Sequence, residues 1–276
     1  MTDELKKKVD RAIRLLQSIK AEEIELSYSG GKDSDVILEL AKMAGIKFRA
    51  IYKNTTIDPP YTIKHCLENG VEIIRPNHSF FELVRKKGFP TRRARFCCDK
   101  LKEYKLLDHS IQGIRKSESV KRSKIYKEPV ICRFYGSKKN RVSVALPILD
   151  WTEKDIEEFI KERNIKCHPI YYTNGKFDVT KRLGCMGCPL ASDNGLSEFK
   201  RNPKLVKTWI KNGLVWWNNH PTTNSRKNFR NIYELFVHNV FFNSYEDFSL
   251  AVNGGMFEGI DCKKFLEDYF KIKLLE

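Results

Sequence analysis

The chain has 276 residues, enough for one large domain or for a domain with a smaller companion. Hydrophobic residues make up 41% of it and charged residues 31%, which excludes a disordered polymer, and no apolar run approaches the ~20 residues that span a bilayer. Fifty-one basic against 35 acidic residues give a net charge of +16, so phosphates are the natural partners, on a nucleotide or a nucleic acid, although a merely solvated basic surface has the same composition.

Leu5, Val9, Ile13, Leu16 and Ile19 recur at helical spacing among charged residues. They predict an opening amphipathic helix rather than a signal peptide, and hence a cytoplasmic protein. Residues 23–28 alternate Ile24, Leu26 and Tyr28 with polar positions, a strand pattern, and Val36, Ile37, Leu40, Ala41 and Ala44 predict a helix over 35–44. Between them lies Ser29-Gly30-Gly31-Lys32-Asp33-Ser34. Two glycines let the backbone approach a ligand, the helix start offers unpaired N–H groups and a positive dipole end, Ser29 and Ser34 add hydroxyls, Lys32 a cation, and Asp33 a ligand for Mg2+. The six together describe a phosphate cradle. A plain turn with Ser34 as helix N-cap is the alternative, and the Walker spacing is absent.

Further strands are expected at 47–52 and 71–75 and helices at 61–69 and 80–87, with a polar loop closed by Pro59 and Pro60 between. This alternation argues for βαβ units and an α/β, Rossmann-like, mainly parallel sheet whose ligands sit beyond the strands' carboxyl ends. Arg92, Arg93 and Arg95 then lead into Cys97-Cys98 and a helix expected to carry Leu101, Tyr104, Leu106 and Leu107. Residues 113–122 are dense in cations. Residues 129–134 and 142–146 read as a hairpin pair around 136–140, and Thr152 as the N-cap of a helix over 153–163. Residues 168–182 read as irregular, and Gly184-Cys185-Met186-Gly187-Cys188-Pro189 follows. From Leu196 the periodicity is helical, which sets a nucleotide-binding domain over 1–195 and a helical region over 196–276.

Eight cysteines in a cytoplasmic chain are poor candidates for structural disulfides. Cys185-x-x-Cys188 places two thiols on one turn, and Cys97-Cys98 offers a second pair. Four thiolates suit tetrahedral zinc or an iron–sulfur cluster. Adjacent cysteines converge poorly on one small ion, whereas a cubane spreads its irons over several positions, which favours the cluster. A redox dithiol at 185 and 188 is the alternative. Cys66, Cys132, Cys167 and Cys262 read as core or surface residues.

The loop at 29–34 resembles the PP-loop of the N-type ATP pyrophosphatases, which cleave ATP between the α and β phosphates. Three further segments resemble the phosphoadenosine phosphosulfate reductase family of that superfamily. Residues 113–122 match its Gly-x-Arg-x-x-Glu-Ser-x-x-Arg segment, with Arg115, Glu118, Ser119 and Arg122 in register. Residues 147–155 match its Pro-Leu-x-Asp-Trp-Thr-x-x-Asp segment, with Ile148 for the leucine. Cys97, Cys98, Cys185 and Cys188 resemble the [4Fe–4S] ligand set of the adenylyl-sulfate reductase branch. The resemblance covers roughly 23–194 and implies an adenine nucleotide α-hydrolase-like fold. Two departures stand out. Family reductases carry a catalytic cysteine in a late Glu-Cys-Gly-x-His context, whereas the late cysteine here, Cys262, lies in Gly-Ile-Asp-Cys-Lys-Lys. Such reductases also usually lose the Lys-Asp of the loop, and here Lys32 and Asp33 are intact.

Three functions follow as expectations. The first is an ATP-binding sulfurtransferase-like enzyme: residues 29–34 hold the departing pyrophosphate, Lys32 neutralises it, Asp33 positions Mg2+, Arg115 and Arg122 hold an oxyanion, and the cluster handles sulfur on an acceptor, with nucleic acid a credible one. The second is reduction of adenylyl sulfate or its 3′-phosphorylated form to sulfite. The third is a non-catalytic nucleotide-binding accessory subunit. A sulfur- or electron-donor protein and a second copy of the chain are the other partners considered.

Overall fold

The structure, a computed structural model, describes residues 1–136, 140–254 and 259–274. Its helices are α1 (Asp3–Gln17), α2 (Lys32–Met43), α3 (Thr62–Glu68), α4 (Phe80–Lys87), α5 (Phe96–Leu101), α6 (Val120–Ile125), α7 (Glu153–Glu162), α8 (Leu196–Arg201), α9 (Pro203–Asn219), α10 (Ser225–Asn228), α11 (Ile232–Phe241), α12 (Tyr245–Asn253) and α13 (Cys262–Phe270). Six strands, β1 (Glu25–Tyr28), β2 (Arg49–Lys53), β3 (Glu72–Ile74), β4 (His109–Gln112), β5 (Val130–Phe134) and β6 (Arg141–Ala145), form one sheet in the order β3-β2-β1-β4-β6-β5. Every pairing is parallel except that of β5 with β6. No helix among the described residues is long and apolar enough to cross a membrane.

The chain divides into two compact units. One comprises residues 1–54, 58–76 and 99–184, and the other 55–57, 77–98 and 185–276. The first holds the sheet. β2 and β3 lie to one side of β1 and β4 to the other, so the order reverses beside β1, the place where open α/β sheets bind ligands. Leu26 and Tyr28 of β1 point into an apolar core shared with Leu5, Val9 and Leu16 of α1, Val36, Ile37 and Leu40 of α2, and Ile156 and Phe159 of α7. Parallel sheets are normally apolar on both faces. Here the alternate positions are polar: Ser27 Oγ donates to Glu25 Oε1 at 2.8 Å and lies 3.1 Å from Ser110 Oγ, and Lys53 Nζ pairs with Glu25 at 3.0 Å. The polar stretch is confined to the middle of this face, since Ile51 of β2 and Val142 and Val144 of β6 on the same side are buried and apolar.

The second unit is held by rings. Trp209 meets Phe80, Phe89 and Phe199 at centroid separations of 5.1, 5.8 and 5.4 Å, and Phe199 meets Phe236 at 5.3 Å. The late aromatics Trp209, Trp216, Trp217, Phe236 and Phe270 are therefore core residues.

The helix at 153–163 begins at Glu153 with a reciprocal cap, in which Thr152 Oγ1 accepts from the Asp155 N–H at 3.2 Å and Asp155 accepts from the Thr152 N–H at 2.7 Å. Elsewhere the local reading departs from the structure. The helix expected after Cys97-Cys98 instead begins before them, at Phe96, and stops at Leu101, so Tyr104, Leu106 and Leu107 are not helical. The strand β4 follows, unforeseen because His109-Ser-Ile-Gln112 is too short and too polar to show alternation. The irregular stretch at 168–182 contains a 3-10 turn, Pro169–Tyr171, and a minimal antiparallel pair, Tyr172–Thr173 with Lys176–Phe177. The β5–β6 turn expected around 136–140 runs through residues 137–139, outside the described residues.

Candidate nucleotide loop and thiol centre

The glycine-rich loop follows the last residue of β1 and opens α2. The helix begins at Lys32, three residues before the expected start at 35, because Gly31 O accepts from the N–H groups of Ser34 and Asp35 at 2.9 and 3.0 Å. Gly31, not Ser34, is the N-cap. Ser34 Oγ donates to Gly31 O at 2.7 Å, and Ser29 Oγ lies 3.3 Å from Ser34 Oγ, so the two hydroxyls brace the turn. Gly30 sits at φ +77°, where a side chain is strained, and a Cβ on Gly31 would stand 3.2 Å from the Tyr171 hydroxyl.

Lys32 is buried, and that burial pushes its ammonium below the ordinary lysine range. Asp33 opposes the shift, while Arg115 and Arg182 add to it. Its Nζ donates to Lys181 O at 3.2 Å and lies 3.8 Å from Asp33 Oδ2. Arg115, only 1% exposed, donates from Nε to Asp33 Oδ1 at 2.6 Å and from Nη1 to Ser117 Oγ at 2.9 Å. Gly113 makes this approach possible, because a Cβ there would meet Asp33 O at 3.0 Å. Arg122 is ion-paired with Glu118 on the turn before it, and burial, followed by the charge of Arg182, lowers its pKa.

A cavity of about 330 Å³ opens beside the loop. Tyr28, Lys53 and Gln112, the last residues of β1, β2 and β4, line it with Ser29, Arg122 and Arg133. The structure thus brings Ser29–Ser34, Arg115 and Arg122 together within one unit. It gives Arg115 a structural partner, Asp33, and it adds three residues not singled out from sequence: Tyr171, whose hydroxyl accepts from the N–H groups of Lys32 and Leu183 at 3.2 Å each, Lys181 and Arg182. The basic pair Lys181-Arg182 was visible in the sequence, but nothing in the chain order tied it to a loop some 150 residues earlier.

The four candidate metal-binding cysteines fall in the other unit. All eight cysteines are thiols rather than disulfides, with Cys66, Cys167 and Cys262 buried and Cys132 exposed. The Cys185–Cys188 turn closes with the Cys188 N–H on Cys185 O at 3.2 Å, and the Met186 N–H pins it to Ile57 O at 2.9 Å. Gly187 takes φ +72° against the Phe199 ring, which a Cβ would approach to 2.6 Å. Cys185 Sγ donates to Thr55 Oγ1 at 3.6 Å. A hydrogen bond with Cys98, burial, and the charges of Cys98, Cys185 and Cys188 all raise the Cys97 thiol pKa, so the four sulfurs share one electrostatic neighbourhood. Among the described residues no group of three or more His, Cys, Asp or Glu side chains has the spacing of a formed metal site. The donor chemistry, four thiols with no carboxylate or imidazole among them, suits a thiolate-ligated centre.

Residues 23–191, more than half the chain, match the phosphoadenosine phosphosulfate reductase domain. The chain belongs to that family. Among curated relatives it is 28% identical to an uncharacterized protein of Methanocaldococcus jannaschii, over 68% of this chain and 46% of that one. It is 27% identical to an uncharacterized 37.8 kDa protein of Escherichia phage 186, over 68% and 61%. This family member therefore spans between about half and three-fifths of the length of those relatives. Similar solved structures include phosphoadenylyl-sulfate reductase of Candida auris in its phosphate complex, at 15% identity, 67% of this chain, 96% of that chain and a TM-score of 0.46. Another is the U34-tRNA thiolase of Methanococcus maripaludis with its [4Fe–4S] cluster, at 14% identity, 79% and 82%, and 0.37.

The Asp33–Arg115 pair makes a direct prediction. Asp33→Ala strands a buried guanidinium and is expected to lower stability by about 3–5 kcal/mol, read as a fall in the urea midpoint. Asp33→Asn, whose amide oxygen still accepts from Arg115, should cost less than about half as much. Equal and negligible losses would show that the pair does not organise the loop.

Proposed function

We propose that this protein binds Mg-ATP and cleaves it between the α and β phosphates to adenylate an acceptor, which a sulfur nucleophile then thiolates. The observation that carries this reading is the intact Lys32-Asp33 pair, with Lys32 buried beneath the loop and Asp33 held by Arg115. An acceptor oxygen attacks the α-phosphorus, the α–β P–O bond breaks, and pyrophosphate leaves with the bonding electron pair. Its charge is met by Lys32, by the hydroxyls of Ser29 and Ser34 and by the backbone of Gly30 and Gly31. Asp33 would hold Mg2+, and Arg122, lining the cavity, holds an oxyanion of nucleotide or acceptor. Preorganised charge of this kind is commonly the largest catalytic contribution. A sulfur nucleophile then displaces AMP. The net charge of +16 makes a nucleic acid the favoured acceptor class.

Cys97, Cys98, Cys185 and Cys188 would hold a [4Fe–4S] cluster, which supplies sulfur-binding or sulfur-relay chemistry when bound. Zinc is the alternative occupant. Reduction of a sulfonucleotide needs an accessible late thiolate, and Cys262 does not offer one: it is 4% exposed at the start of α13, and burial pushes its thiol up to about 12. A purely accessory role draws no support from the late aromatics, which are packed as core.

Anaerobically purified full-length protein given ATP, Mg2+ and a pool of RNA and DNA should release pyrophosphate and AMP in equal amounts, and Asp33→Asn should lower the rate by at least about 100-fold. ADP and phosphate as the products, or no nucleotide turnover with any acceptor, would contradict the reading. The same preparation should hold about four iron atoms per chain with broad visible absorption, lost in Cys188→Ser. Zinc without iron would make the thiol centre structural.

A further inference from the structure

We infer that Arg182 is a pyrophosphate-binding residue of the nucleotide loop, delivered to it by the segment Lys181-Arg182-Leu183. The inference deepens the proposed ATP cleavage and rests on it for the identity of the ligand. Four contacts lay this segment across the glycine loop. Lys32 Nζ donates to Lys181 O at 3.2 Å. The Tyr171 hydroxyl accepts from the N–H groups of both Lys32 and Leu183 at 3.2 Å, so a single oxygen ties the start of α2 to the segment. A Cβ on Gly30 would stand 3.2 Å from Leu183 Cδ2, and one on Gly31 3.9 Å from Leu183 Cβ, so the glycines are needed for the two backbones to pass this closely.

Arg182 lies between the two anchored residues, and its side chain is exposed. Among the described residues none forms a hydrogen bond or ion pair with its guanidinium, whereas Arg115 is matched by Asp33 and Arg122 by Glu118. Its charge nevertheless reaches the site: it is felt at Lys32 and is the leading charge effect on Arg122. Arg182, a cation without an acid of its own, thus joins Lys32, which shares Asp33 with Arg115, at a loop whose carboxylates are already engaged. Such crowding of like charge is unfavourable until a polyanion arrives, and a guanidinium can bridge two phosphoryl oxygens where an ammonium offers a point charge. A pyrophosphate, or the β and γ phosphates of ATP, is the ligand that this arrangement fits.

The test is calorimetric titration of the full chain with inorganic pyrophosphate and, separately, with AMP. Arg182→Ala should weaken pyrophosphate at least about 10-fold, equivalent to about 1.4 kcal/mol, and AMP by less than about 2-fold. Arg182→Lys should fall between, and Arg14→Ala, an exposed arginine on α1 that removes the same net charge, should leave both affinities unchanged. Unaltered melting temperatures would confirm that the variants are folded. Pyrophosphate binding that ignores Arg182→Ala, parallel losses for pyrophosphate and AMP, or no pyrophosphate binding by the wild type would each overturn the assignment. Arg182-dependent pyrophosphate binding in a protein that does not cleave ATP would uphold it while defeating the proposed reaction.

Discussion

A buried arginine organises the sheet-bearing unit of this protein. Removing a guanidinium from water is costly unless every donor it turns inward is met, and Arg115 meets that demand with Asp33 at the start of α2 and Ser117 beyond β4. Ser117 in turn donates to Trp151 O at 2.9 Å, next to the cap of α7. One side chain therefore fixes the position of the loop acid relative to the cation-rich segment after β4 and the entry to α7. Gly113 belongs to the same constraint, since any side chain there would push against the Asp33 backbone. The Gly-x-Arg spacing of that segment is thus a packing requirement.

The sheet complements the loop by being unlike an ordinary parallel sheet. Its core-facing side chains are apolar, but Glu25, Ser27, Lys53, Ser110 and Gln112 form a hydrogen-bonded polar face that ends in the cavity beside Ser29. Burying such groups without a ligand or partners would be unfavourable. Their mutual pairing keeps the face intact, and the cavity is lined by side chains of both charges. The thiol centre obeys a different logic. Its turn is shaped by Gly187 against the Phe199 ring and by a backbone bond to Ile57, so an aromatic core, rather than a charge network, positions Cys185 and Cys188.

Sequence made the loop legible because six residues with separate reasons to be there occur in order at a strand-to-helix junction. Arg115 and Arg122 were legible only as members of a longer cationic pattern, and their different duties were not. Arg115 serves Asp33 through an ion pair between residues 82 apart, which no local periodicity reports. Strand β4 escaped because four residues, three of them polar at buried or half-buried positions, show no alternation, although it borders β1 where the strand order reverses. Arg182 escaped for a different reason: its surroundings, Tyr171, Lys32 and the glycine loop, are assembled by tertiary contacts. The aromatic tail was readable in kind as helical, and its rings prove to be the core of the second unit.

The central claim is that the loop stabilises pyrophosphate as a leaving group, and microscopic reversibility gives it a direct test. Full-length protein incubated with ATP, Mg2+, labelled pyrophosphate and the nucleic-acid pool should return label to ATP at a rate that depends on the acceptor. Label appearing in ATP supports reversible adenylation at the α-phosphorus. Bound ATP with no return of label under conditions that consume ATP would contradict it.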